Sequence, residues 1–219
     1  MRPITLSIAL AASDGNGICT TQTTTGADDL TINGALATGG VATLEDEQAR
    51  QVIITSAGSD ESGLTFTVTG TDADGNTIID AVTGPGASAT VTSGLMMQTV
   101  TNIAVDGAIT GNVTVGTNGV GATKWIKPNL HISPFDVRFG CDVTGTINYT
   151  MQHSFDDVDS VPLDSTNVSD VPTAFAHANT AAQTADDNDS YTSPVRAMRV
   201  LVNSGTGTVA TTWIQAGIV

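Results

Sequence analysis

From residue 51 onward the chain alternates between apolar and polar positions. In GLTFTVTGTDADGNTIIDAVTGP, Leu64, Phe66 and Val68 are separated by Thr65, Thr67 and Thr69. A period of two predicts a half-buried strand. Asp74-Gly75 followed by Asn76 supplies a turn, because these residues accept positive φ at little cost. Ile78, Ile79 and Val82 predict the return strand, and Gly84-Pro85-Gly86 ends it. QVIITSAG predicts a strand before this hairpin. LMMQTVTNIAVDG and GNVTVGTNG predict one strand each after it. The alternation returns at Val143, Ile147, Tyr149 and Met151 in CDVTGTINYTMQHSFDD. VRAMRVLVNSG and TGTVATTWIQAGIV predict a closing hairpin around Ser204-Gly205, with Pro194 at an allowed strand start.

Other segments are less regular. Residues 1–50 are rich in Gly and Thr (GNGICTTQTTTG, GALATGG), with short strands expected in ADDLTING and GVATL. They read either as an N-terminal arm reaching a neighbouring subunit or as a first strand pair with surface loops. Residues 121–140, GATKWIKPNLHISPFDVRFG, read as a crossover between two β units. A polar, acidic excursion runs from Asp156 to Ser193, and AFAHANTAAQTADD within it is expected as a short helix. The fold class that follows is all-β: one or two β-sandwich, jelly-roll-like units behind an irregular N-terminal arm. The boundaries expected are 1–50 for the arm, 51–122 for the first unit and 123–219 for the second.

Composition supports strands and narrows the partners. Of 219 residues, 13 % are charged, about half the usual share. Thr, Val, Gly, Ala and Asp take their place, and branched Cβ atoms pack well on a pleated sheet. The formal net charge is −15, from 7 basic and 22 acidic residues. Nucleic acid and an anionic membrane surface are therefore not expected as partners, since both need clustered Lys and Arg. The N-terminal MRPITLSIALAAS has an Arg, a short apolar run and small residues near Ala11. Thr5 and Ser7 interrupt that run and Pro3 sits early in it, so no export leader is expected.

Asp72, Asp74 and Asn76 alternate like the start of a calcium loop, but such a loop needs Gly at its sixth position and Glu at its twelfth, whereas Gly75 falls at the fourth and Thr83 at the twelfth. The segment is expected as a hairpin turn. Asp156, Asp157 and Asp159, with Asp186, Asp187 and Asp189, share one loop region and hold a hard cation only if they converge. His131, His153 and His177 are scattered, with no zinc spacing. No GxSxG elbow or phosphate loop is present, and GTNGVGATK reads as a turn. Trp125 and Trp213 read as core or interface anchors, with sugar stacking as the alternative. Cys19 and Cys141 match no metal pattern. They are expected as free thiols, or as a disulfide if the fold brings them together. No catalytic, cofactor or metal residue is assigned, and no enzyme activity is expected.

SGLTFTVTGTDADGN, TGPGA, TVTNIAVDG and GNVTVG, followed by GTINYTMQHSFDD, SPVRAMRVLVNSGTGTV and a terminal IQAG, resemble segments of uncharacterised tailed-bacteriophage virion structural proteins. The resemblance covers about three-quarters of the chain and leaves out residues 1–50. It implies a place in the virion, assembled in the host cytoplasm, and no reaction. The role expected is capsid decoration, or cement, through contacts with the major capsid protein or other virion proteins. Self-association as a homo-oligomer is expected as well. A head–tail adaptor, collar or tail component is the alternative in the same class, and a carbohydrate-binding adhesin module the alternative in another.

Overall fold

The computed structural model of the protein describes residues 3–45, 48–159, 163–165 and 171–218. Its described residues form strands and turns, with no helix, in an all-β, sandwich-like fold. In chain order the strands are β1 (Ile4–Ala9), β2 (Asp14–Gln22), β3 (Asp28–Asp29), β4 (Ala37–Thr38), β5 (Val41–Thr43), β6 (Gln48–Ser56), β7 (Thr65–Thr71), β8 (Thr77–Thr83) and β9 (Thr90–Met97). They continue as β10 (Thr99–Val105), β11 (Val113–Thr123), β12 (Ser133–Thr144), β13 (Ile147–Ser154), β14 (Leu163–Asp164), β15 (Phe175–Ala176), β16 (Asp187–Tyr191), β17 (Ala197–Gly205) and β18 (Thr208–Ile218).

The chain divides into two units. Unit 1 is Met1–Ala11, Gly119–Ser160 and Pro172–Val219; unit 2 is Ala12–Asn118 and Val161–Val171. The division falls at Gly119, inside β11, rather than in the 121–140 segment expected as a crossover. The first fifty residues are not one arm. β1 pairs with β18 in unit 1, and residues 12–45 add short strands to unit 2.

In unit 2, one sheet runs β14-β8-β7-β10-β5-β4, with β3 also on β10. The other side is β9, β6 and the first part of β11, with β2 along β11. Period-two burial in β7 puts Phe66 and Val68 into the core and Thr65, Thr67 and Thr69 on the outer face. They meet Val52, Ile54, Met97 and Val113 from the other side. The β7–β8 hairpin forms as expected, with Gly75 at φ +83°. LMMQTVTNIAVDG gives not one strand but two. β9 pairs with β6 and β10 with β7, so the chain changes sheets at Gln98, whose N–H donates to the Thr71 carbonyl at 2.7 Å. GTNGVGATK is likewise strand, not turn. Gly116 lets β2 pass close by: a Cβ there would lie 2.0 Å from the Asp14 carbonyl oxygen. Abundant Thr is used across strands, as in the Thr71–Thr99 hydroxyl pair at 2.7 Å and Thr55–Thr90 at 2.8 Å.

In unit 1, the sheet β1-β18-β12-β16 faces β15-β13-β17 and the end of β11. The core between them includes Ile8, Phe139, Tyr149, Met151, Val200, Val202 and Trp213. The closing pair β17 and β18 is not a paired hairpin. β17 pairs with β13 and β18 with β12, so the turn at Thr206-Gly207 crosses between layers. β12 and β13 cross in the same way, and the two corners join: Thr206 and Gly207 N–H both donate to the Thr146 carbonyl, at 3.1 and 2.8 Å. The helix expected over 174–187 is absent. That segment runs beside β13 in short extended pieces separated by bends over 178–182, exchanging bonds from His177 N–H to Met151 and between Gln183 and Tyr149 in both directions. Its backbone groups find partners in the sheet, which outweighs any local helical preference. Of the acidic excursion, 160–162 and 166–170 lie outside the described residues.

Candidate functional site

Eight of the nine Phe, Trp and Tyr residues lie in unit 1, leaving Phe66 alone in unit 2. Six of those eight lie on strands, and two histidines join five of the eight (Trp213, Phe139, Tyr191, Phe175 and Phe155) in one line of rings. Trp213 on β18 is fully buried, 5.4 Å from Phe139 on β12. Phe139 meets Tyr191 at 5.7 Å and His177 at 5.3 Å, and those two meet edge-on at 4.8 Å. Tyr191 touches His153 at 5.4 Å. His153, at the end of β13, stacks on Phe175 at 5.8 Å and takes Phe155 on its edge at 5.3 Å. The line ends at the surface, with Phe155 57 % and Phe175 46 % exposed.

The exposed end is held from behind. Arg196 N–H donates to the Ser154 carbonyl at 2.9 Å, Asp156 N–H to Ser154 Oγ at 3.1 Å, and Thr173 N–H to the Asp156 carboxylate at 2.7 Å. Asp157 pairs with Arg196 at 2.9 Å and Asp159 with Lys127 at 2.6 Å. Phe155 and Phe175 thus form a small exposed apolar patch with a polar, hydrogen-bonded rim.

Burial pushes the Tyr191 phenol up, as it does Tyr149. It pushes Cys19 up to about 12 and raises Cys141. Neither thiol is therefore a ready nucleophile. Cys19 lies in the core of unit 2 and Cys141 in that of unit 1, both free. His153 is shifted down by burial first and by His177 second. A lowered folded pKa means that the native state binds fewer protons, so the stability it contributes is present above the ordinary histidine value of about 6.5 and lost as pH falls through the folded pKa. Urea unfolding should therefore show unit 1 weaker at pH 5 than at pH 7, and His153→Phe should flatten that difference. The titratable neighbours of His153 are Tyr191 and His177, with Asp189 beside His177; Tyr191 is shifted up and Asp189 down, so both titrate outside this window.

The other candidate residues in the sequence do not converge. Asp72 accepts from Asp74 N–H, Asn76 N–H and Asn76 Nδ2, so it clasps its own turn. Asp186 accepts from Val143 N–H, and Asp189 from Asn179, while the 156–159 carboxylates keep the partners already given. Among the described residues no three His, Cys, Asp or Glu side chains gather as a metal site. His131 is apart from the ring line. Trp213 has no face free for a sugar, and Arg199 covers one face of Trp125 at 4.3 Å. Phe155 and Phe175 were not singled out from sequence. The adjacent aromatic–histidine pairs HSF and AFAH, in a chain with 4 % aromatic residues, were the available signal. No family model, curated protein or solved structure matches the chain.

Proposed function

We propose that the protein is a virion structural component that decorates and stabilises a bacteriophage capsid through protein–protein contacts. The observation that carries this reading is the exposed, rigidly backed Phe155–Phe175 pair of unit 1. Such a surface gains by burial against another protein, and contacts made only in the assembled shell favour the shell over its free subunits. Electrostatics support the same reading. Unit 2 has fourteen acidic residues and one basic residue, Arg50, which is 1 % exposed. A cation-free surface of that charge is repelled by packaged nucleic acid and keeps the free protein soluble. Two buried free thiols suit assembly in a reducing host cytoplasm.

Quantitative mass spectrometry of purified virions tests the proposal. Copies on the scale of the major capsid protein are the expected result. Phe155→Ser with Phe175→Ser should keep the fold and lose incorporation. A small copy number would place the protein at the tail vertex instead, and absence from virions would overturn the reading.

A further inference from the structure

The outward face of β1-β18-β12-β16 is open to solvent. On β12, Arg138, Gly140 and Asp142 point outward between Val137, Phe139 and Cys141, which face the core. Strand register arranges the face in three rows. The first holds Ser190, Arg138 and Ile214; the second Asn188, Gly140, Thr212 and Thr5; the third Asp142, Ala210 and Ser7. Gly140 has no side chain, and two shallow hollows of about 470 and 570 Å³ meet over it.

We propose that this face is the contact between two copies of the chain. A two-fold axis lying between the sheets and running across the strands over the Gly140 row lays the first row of one copy on the third row of the other. Arg138 then meets the second copy's Asp142, and symmetry makes that pair twice. Ile214, 49 % exposed, covers the second copy's Ala210. The middle row meets itself, Thr on Thr and Asn on Asn, with the Gly140 hollow allowing close approach. The face is thus complementary to itself in both charge and shape.

Within one copy, Arg138 is 75 % exposed and 3.5 Å from Asp136, an exposed pair worth little, so it is available to a partner. The location suits self-association. Unit 1 has six basic and eight acidic residues against one and fourteen in unit 2, so repulsion between copies is weakest here. Four strands about 19 Å across and about 27 Å long offer about 500 Å² per copy, or about 1,000 Å² in total. That is at the lower end for a specific interface, the range of weak, reversible association.

Sedimentation velocity on the full chain, across concentrations spanning the micromolar range, tests this independently of any role in a virion. The expected result is a concentration-dependent dimer that weakens with salt. Arg138→Asp and Asp142→Arg should each weaken it by about ten-fold or more, and the double exchange should restore it, because the pair is reversed but kept. Gly140→Lys should abolish it. A Cβ at Gly140 meets open space, so the monomer's circular dichroism and melting should not change. A monomer at every concentration, a dimer indifferent to both single substitutions, or a double exchange that does not recover would each overturn the proposal.

Discussion

Trp213→Ala is expected to destabilise unit 1 by about 3–5 kcal/mol, the cost of removing a large aromatic side chain from a closed core. Trp213 is fully buried on β18, between Ile4 of β1 and Phe139 of β12 in the strand register. Its ring begins the aromatic line that ends at Phe155, so the cavity would open beneath Phe139 and loosen the support of Tyr191 and the two histidines. Trp213→Phe should cost much less. The indole Nε1 has no hydrogen-bond partner, so that exchange removes volume without orphaning another group. Urea unfolding followed by Trp fluorescence suits the test. Both Trp and both Tyr residues lie in unit 1, and Trp125 remains as the probe in either variant. An unchanged midpoint for Trp213→Ala would show that the ring is not part of the core. Under the proposed capsid-binding role, the same substitution should also reduce incorporation into virions where the unit stays folded, because the rings behind the Phe155–Phe175 patch position it.

The strands were legible where their signal was local. Phe66 and Val68 alternate with Thr in sequence and in the sheet, and Asp74-Gly75 turns as its backbone preferences dictate. What sequence could not convey is which sheet a strand joins. β9 and β10 are continuous in sequence, yet Gln98 sends them to different sheets because Arg50 and Thr71 lie far away along the chain. β1 belongs with β18, more than two hundred residues later, so an apparent arm is a strand of unit 1. The 174–187 segment looked helical from its alanines, but β13 offered its backbone partners that no local preference could predict. The aromatic line was hidden for the same reason, since His153, Phe175, Tyr191 and Trp213 come from four separate strands, although HSF and AFAH mark its exposed end. The self-complementary face depends on register as well, since Ile214 and Arg138 share a row only once β18 pairs with β12.

Unit 2 has its own weak point at Glu61. Its side chain is 2 % exposed and lies outside every strand, so neither alternation nor a motif marks it. One carboxylate oxygen accepts from Gly111 N–H at 2.8 Å and Thr110 Oγ1 at 3.0 Å, and the other from Thr110 N–H at 3.3 Å. The Glu61 backbone completes the knot: its N–H donates to the Pro85 carbonyl, and its carbonyl accepts from Leu64 N–H, both at 2.9 Å. One residue therefore ties the loop before β7 to the turn after β8 and to the entry of β11. Glu61→Ala should cost about 2–4 kcal/mol, because it strands two backbone N–H groups and a hydroxyl in a poorly solvated site. Glu61→Gln should fall between that variant and the native protein. Its amide oxygen still accepts, but the charge is lost and an NH2 group faces donors. Far-UV circular dichroism is the measurement, since unit 2 contains neither Trp nor Tyr. If Glu61→Ala melts like the native protein, water replaces the carboxylate at little cost, and the three segments are held by their backbone bonds alone.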